Sequence, residues 1–152
     1  MIYEKMKELR TYYLITQKQM SEILKTSRST YAGWENGIDP VSLTKLNDFC
    51  NYFNVSLDYI CGISSEKNYK NMKKEIDTNE IGKRMNLIRL KNNDTQNVVA
   101  SILKVDQSNY SKYELGKINI PVEVLIKLSD FYDVSLDYLV GRSKIKKIAD
   151  AD

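Results

Sequence analysis

Histidine is absent from the 152 residues, and cysteine and proline occur only twice each. Without imidazole, zinc sites and acid–base catalysis lose their commonest carrier. Cys50 and Cys61 fall at apolar-periodic positions and read as buried, reduced thiols, not as a disulfide or metal pair. No apolar run approaches the roughly 18 residues a membrane span needs, and no secretory signal pattern opens the chain. The expected location is therefore the cytoplasm. Paired carboxylates, a nucleophile beside a base and a phosphate-cradling glycine loop are all missing, so no enzyme, catalytic residue, metal or cofactor is expected.

What the chain does contain is a repeat. Residues 24–62, LKTSRSTYAGWENGIDPVSLTKLNDFCNYFNVSLDYICG, recur without a gap as residues 103–141, LKVDQSNYSKYELGKINIPVEVLIKLSDFYDVSLDYLVG. Each copy is too long for a solenoid unit and long enough to fold alone, so the constant offset of 79 positions predicts two tandem domains of one kind. They span residues 1–63 and 80–142, with a polar, lysine-rich linker at 64–79 and a charged tail at 143–152. The net charge is only +3, and the domains carry seven basic against seven acidic residues and nine against eight. Any attraction for nucleic acid must come from where the charges sit.

Apolar spacing predicts an all-α fold with five short helices per domain. The first runs over 2–13 with Ile2, Met6, Leu9 and Tyr13 inward, joined by Leu14; the second, 17–24, follows the N-cap Thr16 with Met20, Ile23 and Leu24 inward. A third follows the cap Ser27 and ends at Gly37, with Tyr31 and Trp34 inward and Arg28, Ser29, Ala32 and Gly33 outward. A fourth covers 41–53, and a fifth begins after Ser56 and stops at Gly62. The second copy repeats the plan at 80–91, at 96–103 after Thr95, after the cap Asp106, and at 121–132. There Tyr110 and Tyr113 turn inward, and Gln107, Ser108, Ser111 and Lys112 outward. Two short helices joined by a tight turn, the second polar on its outer side, form a helix-turn-helix that can lay one helix in the major groove.

The patterns T-Q-x-x-[MV]-[SA]-x-I-L, Y-x-x-[WY]-E-x-G and V-S-L-D-Y-[IL]-x-G occur in register in both copies. On these motifs the chain resembles the lambda repressor and Cro-like (XRE) helix-turn-helix family over nearly its whole length, apart from linker and tail. The resemblance implies a transcriptional regulator, by family expectation a repressor, that binds double-stranded DNA sequence-specifically through residues 27–35 and 106–114. Base contacts would come from Ser27, Arg28, Ser29, Ala32 and Gly33 in the first domain and from Gln107, Ser108, Ser111 and Lys112 in the second. Arg28 could donate twice to guanine, Gln107 could bridge adenine, Ala32 could touch a thymine methyl, and Gly33 would let the backbone approach closely. Phosphate contacts would come from Gln17, Lys25, Thr30, Asn36, Ser42 and Thr44, and from Gln96, Lys104, Asn109 and Lys117. The resemblance also implies internal ion pairs, Arg10 with Glu35 and Arg89 with Glu114, tying the first helix of each domain to the third.

Three departures from the family pattern stand out. Leu115 replaces Asn36. Asp106 replaces Ser27, and its carboxylate would face phosphates unless it accepts from a cytosine amino group. Lys25 and Lys104 occupy a turn position where the family often has glycine, at about 1 kcal/mol each if left-handed. The second domain is expected to bind DNA more weakly than the first.

Trp34 and Tyr113 read as core packing, and Tyr12, Tyr13, Tyr52 and Tyr132 as packing or interface residues, before base-stacking platforms; Lys67, Lys70, Lys73 and Lys74 read as a solvated face. The 17-residue advance from Ile63 to Glu80 extends to roughly 56 Å, enough for both domains to reach neighbouring turns of one duplex about 34 Å apart. Alternatively the second domain pairs two chains into a homodimer that sets two first domains on a palindrome. A reading of another class is a protein-interaction module, such as an antitoxin or a phage-encoded inhibitor, in which one helix-turn-helix binds an unidentified protein.

Overall fold

The computed structural model describes residues 2–147. Among the described residues all regular structure is helical, and the ten helices fall into two units that divide after Tyr69. The first unit holds α1 (Ile2–Tyr12), α2 (Gln17–Ile23), α3 (Arg28–Glu35), α4 (Leu43–Phe53) and α5 (Leu57–Ile60). The second holds α6 (Thr78–Lys91), α7 (Gln96–Leu103), α8 (Gln107–Glu114), α9 (Val122–Tyr132) and α10 (Leu136–Leu139).

Local chemistry starts these short helices, because few are long enough to hold themselves by propensity alone. Thr16 accepts from the Gln19 amide while the Gln19 side chain accepts from the Thr16 amide, a complete capping box for α2. Ser27, Ser42 and Ser56 cap α3, α4 and α5 by accepting one backbone amide each, as Thr95 and Ser135 do for α7 and α10. The expected cap at Asp106 is only positional, since its carboxylate makes no capping hydrogen bond. Helix α4 starts at Leu43, later than predicted, because Ser42 is the cap; α6 starts earlier, at Thr78, because Asp77 accepts from Asn79.

Each core is assembled from one stripe per helix. Met6, Met20, Tyr31, Leu46, Phe49, Leu57 and Ile60 are fully or almost fully buried in the first unit, as are Ile81, Met85, Val99, Tyr110, Leu125 and Leu136 in the second. The first helix of each unit also reaches the fifth through a cation on a ring: Lys5 over Tyr59 at 4.6 Å, and Arg84 over Tyr138 at 4.4 Å. Cys50 is buried and Cys61 half-buried; neither forms a disulfide.

Three predicted inward residues are exposed. Leu14 leaves α1 in a left-handed conformation and is 90% exposed, Tyr13 follows it outward, and Ile23 lies at the edge of a seven-residue helix whose inner stripe Met20 and Leu24 already fill.

The linker and tail expectations need correction. Residues 64–69 pack onto the first unit: Ser56 donates through its amide to Lys67 and through its hydroxyl to Glu66, and buried Tyr69 donates to Asp58 Oδ2 at 2.8 Å. In the second unit the Lys73 amide donates to the Arg142 carbonyl, and the Ser135 amide to the Lys146 carbonyl. Arg142 is 1% exposed and pairs with buried Asp137 at 3.2 Å. These segments close the bottom of each core, which the repeat boundaries leave open. The last residues of the predicted tail, 148–152, lie outside the described residues.

Close approach of α6 to α8 depends on Gly82, where an added Cβ would overlap the carbonyl oxygen of Glu114. That neighbour is backbone and cannot swing aside. Gly82→Ala should therefore destabilise the second unit by about 1–3 kcal/mol, read as an earlier second-unit transition in urea with the first-unit transition unmoved; an unchanged midpoint would refute the close packing.

Candidate nucleic-acid interface

In the first unit the chain leaves α2 through Leu24, turns at Lys25 with φ 55°, and closes the turn with the Thr26 amide on the Ser21 carbonyl at 2.9 Å. Lys104 adopts φ 57° at the same place in the second unit. Both lysines thus take the left-handed conformation that the turn requires. In the first unit the turn is also held from outside: Lys45 Nζ on α4 donates to the Leu24 carbonyl at 2.5 Å. The sequence reading missed Lys45, because its counterpart in the repeat is the apolar Val124.

Behind α3 stands a fixed brace. The Arg10 guanidinium meets the Glu35 carboxylate with two hydrogen bonds, 2.6 and 2.8 Å, and spends a third on the Ile15 carbonyl at 2.8 Å. The second unit repeats it with Arg89 on Glu114 at 2.7 and 3.0 Å and on the Asp94 carbonyl at 3.0 Å. Both arginines are at least nine-tenths buried. Burial opposes ionisation of Glu35, but hydrogen bonds from Arg10 and Gln17, together with the Arg10 charge, outweigh it and hold the carboxyl below its usual range. Glu114 is held down in the same way by Arg89, Asn86 and Gln96 against the same burial. Burial first, then the neighbouring glutamate, pushes the Tyr31 and Tyr110 phenols up, so both stay neutral.

A pH dependence follows. Each carboxyl binds its proton less tightly folded than unfolded, so the stability it adds is complete above the ordinary glutamate value of 4.5 and is lost as pH falls through the lowered folded value. Thermal midpoints should stay flat from neutral pH down to about 5 and then drop. A Glu35→Gln, Glu114→Gln double variant that kept the full acid drop would sink this assignment.

With its back fixed, α3 exposes Arg28, Ser29 and Thr30, with Ala32 half-buried, and α8 exposes Gln107, Ser108 and Lys112, with Asn109 and Ser111 half-buried. Arg28 makes no ion pair among the described residues. Asn36, Ser42 and Thr44 follow α3 as exposed polar residues, and Lys25, Lys104 and Lys117 are exposed as well.

Four expected contact residues are altered by their surroundings. Gly33 is not a bare outward position: it is buried beneath Asp39, which lies across it. Ser27 already donates its hydroxyl to Thr30 Oγ1 at 2.7 Å and accepts from the Thr30 amide at 3.1 Å, leaving little for a base. Gln17 and Gln96 each donate to the brace glutamate, at 3.2 and 3.3 Å, so their amides serve the interior first.

Two short helices at a fixed turn, the second braced from behind and polar in front, define a helix-turn-helix head, present twice. The chain belongs to the helix-turn-helix family, XRE or lambda repressor-like in type, whose model matches residues 6–60 and 86–139. Among curated proteins of Bacillus subtilis (strain 168) it is similar to the HTH-type transcriptional regulator ImmR, 36% identical over 72 residues covering 47% of this chain and 57% of that one. It is also similar to the HTH-type transcriptional regulator AnsR, 35% identical over 66 residues covering 43% and 57%. The chain thus spans a little over half the length of these two relatives. No solved structure matches. Among the described residues no group of three His, Cys, Asp or Glu side chains could hold a metal ion, and no helix is long and apolar enough to cross a membrane.

Proposed function

We propose that the chain is a transcriptional regulator that binds double-stranded DNA sequence-specifically and represses by occluding a promoter. The observation that carries this reading is the pairing of a locked inner face with an exposed, polar outer face on α3. Arg28, Ser29 and Ala32 are presented there on a rod about 10–12 Å across, the width of the major groove. The exposed Lys25, Thr30, Asn36, Ser42 and Thr44 would take phosphates, with Gln17 contributing through the helix N-terminus. In the second unit Gln107, Ser108, Ser111 and Lys112 would read bases, with Gln96, Lys104, Asn109 and Lys117 on phosphates. The relatives are named transcriptional regulators, which agrees with this role.

The test is selection of bound duplexes from a random pool with the full chain, followed by a salt titration. Recovery of one consensus, with affinity falling steeply as salt rises, supports the reading. A bipartite, asymmetric consensus would mean that both units read bases; a perfect palindrome would mean paired copies of the first. Failure to select any duplex would sink it. That failure would favour the protein-interaction reading, to which the Asp106 carboxylate, which makes no capping hydrogen bond, and the 59% exposed Leu115 on the second head lend support.

A further inference from the structure

The loop after α3 places an acidic group on the face that the sequence assigns to reading. Ile38 and Asp39 both donate their amides to the Gly33 carbonyl, at 3.0 and 3.2 Å, so the chain folds straight back over the helix it has just left. As a result, Cγ and Cβ of Asp39 stand 3.2 and 3.5 Å from where a Cβ on Gly33 would project, and Oδ2 stands closer still. The Asp39 carboxylate therefore fills the space of a residue-33 side chain, one helical turn beyond Ser29 on the same stripe. Asp39 is exposed and makes no ion pair among the described residues. The second unit is built differently: exposed Lys112 stands at the glycine's place, and Ile118 at the aspartate's.

We infer that Asp39 is a specificity-determining residue of the first unit, reaching across Gly33 to accept a hydrogen bond from an exocyclic base amino group, that of cytosine, in the major groove. A carboxylate has only acceptors to offer, and cytosine N4 is the donor that it pairs with there. The first head then presents a cation at Arg28, a hydroxyl at Ser29 and an anion at Asp39 in sequence along one rod. The second head carries its cation, Lys112, at the position where the first carries its anion.

The inference rests on the major-groove reading above, and the experiment separates the two. Duplex selection is run with the full chain, with Asp39→Ala, with Asp39→Asn and with Arg28→Ala as an independent reporter. The expected result is that Asp39→Ala loses the cytosine preference at one position of the consensus, with discrimination there falling about tenfold. The guanine assigned to Arg28 should be untouched. Asp39→Asn, which gains a donor, should move the same position toward adenine. An adenine already present there in the parent consensus would overturn the cytosine assignment. An unchanged consensus in Asp39→Ala overturns the inference, as does uniformly tighter binding to every duplex, which would mean that the carboxylate only repels phosphates. If the parent chain selects no duplex, the DNA reading fails and takes this inference with it. Asp39 is exposed, and a thermal melt of each variant checks that the fold is intact.

Discussion

Arg10→Met should lower the stability of the first unit by about 3–5 kcal/mol, among the largest effects expected of any single change, because it leaves a buried carboxylate without its cation. Glu35 is 6% exposed, and Arg10 supplies two of its hydrogen bonds; the remaining donor, Gln17, stands at 3.2 Å. Methionine fills much of the arginine's volume, so the loss isolates charge and hydrogen bonding from packing. Removing both charges should cost much less than removing one, since apolar pairs of similar volume often replace buried ion pairs without penalty. Two transitions in urea would be followed, with the second unit as internal standard. A first-unit loss under 1 kcal/mol would mean that Glu35 finds water or another donor when Arg10 is gone, and that the brace is not what holds α3.

Arg28→Ala should weaken binding to the selected duplex roughly 10- to 100-fold, matching the 1–3 kcal/mol of a good bidentate base contact. Stability should be unchanged, because the side chain is exposed and packs on nothing that the core needs. A base contact and a phosphate contact leave different traces. If Arg28 reads guanine, the preference at one position disappears while the slope of affinity against salt changes little. Lys25→Ala, by contrast, should weaken all duplexes alike and flatten the slope by about one unit. Equal weakening of every duplex by Arg28→Ala would move that residue from reading to anchoring.

Much of this was legible in the sequence, for reasons that can be named. Helix limits come out within about two residues because Thr16, Ser27, Ser56 and Thr95 are caps whose side chains take part in the hydrogen bonding that starts each helix. The brace was legible through the family pattern, since Arg10, Glu35, Arg89 and Glu114 recur at the same offset. The closure of each core by the following segment was not, because the two copies solve one problem with different chemistry. Asp58 is met by the Tyr69 hydroxyl, whereas Asp137 is met by the Arg142 guanidinium. A comparison of the copies sees only dissimilar polar residues there. The Lys45 strut was hidden in the same way by Val124. Helical periodicity placed Gly33 on the outer face correctly as geometry, but no spacing rule says that a residue six positions on will fold back to cover it.

The lid on Gly33 limits how the two heads could be interchanged. A transplant of residues 107–112 into positions 28–33 would bring a lysine against Asp39, whose exposed carboxylate would have to swing aside for its first carbon and would then pair with its ammonium and mask it. Such a chimera calls for residue 118 to travel with the cassette to position 39, so the portable unit of recognition in this protein is discontinuous along the chain.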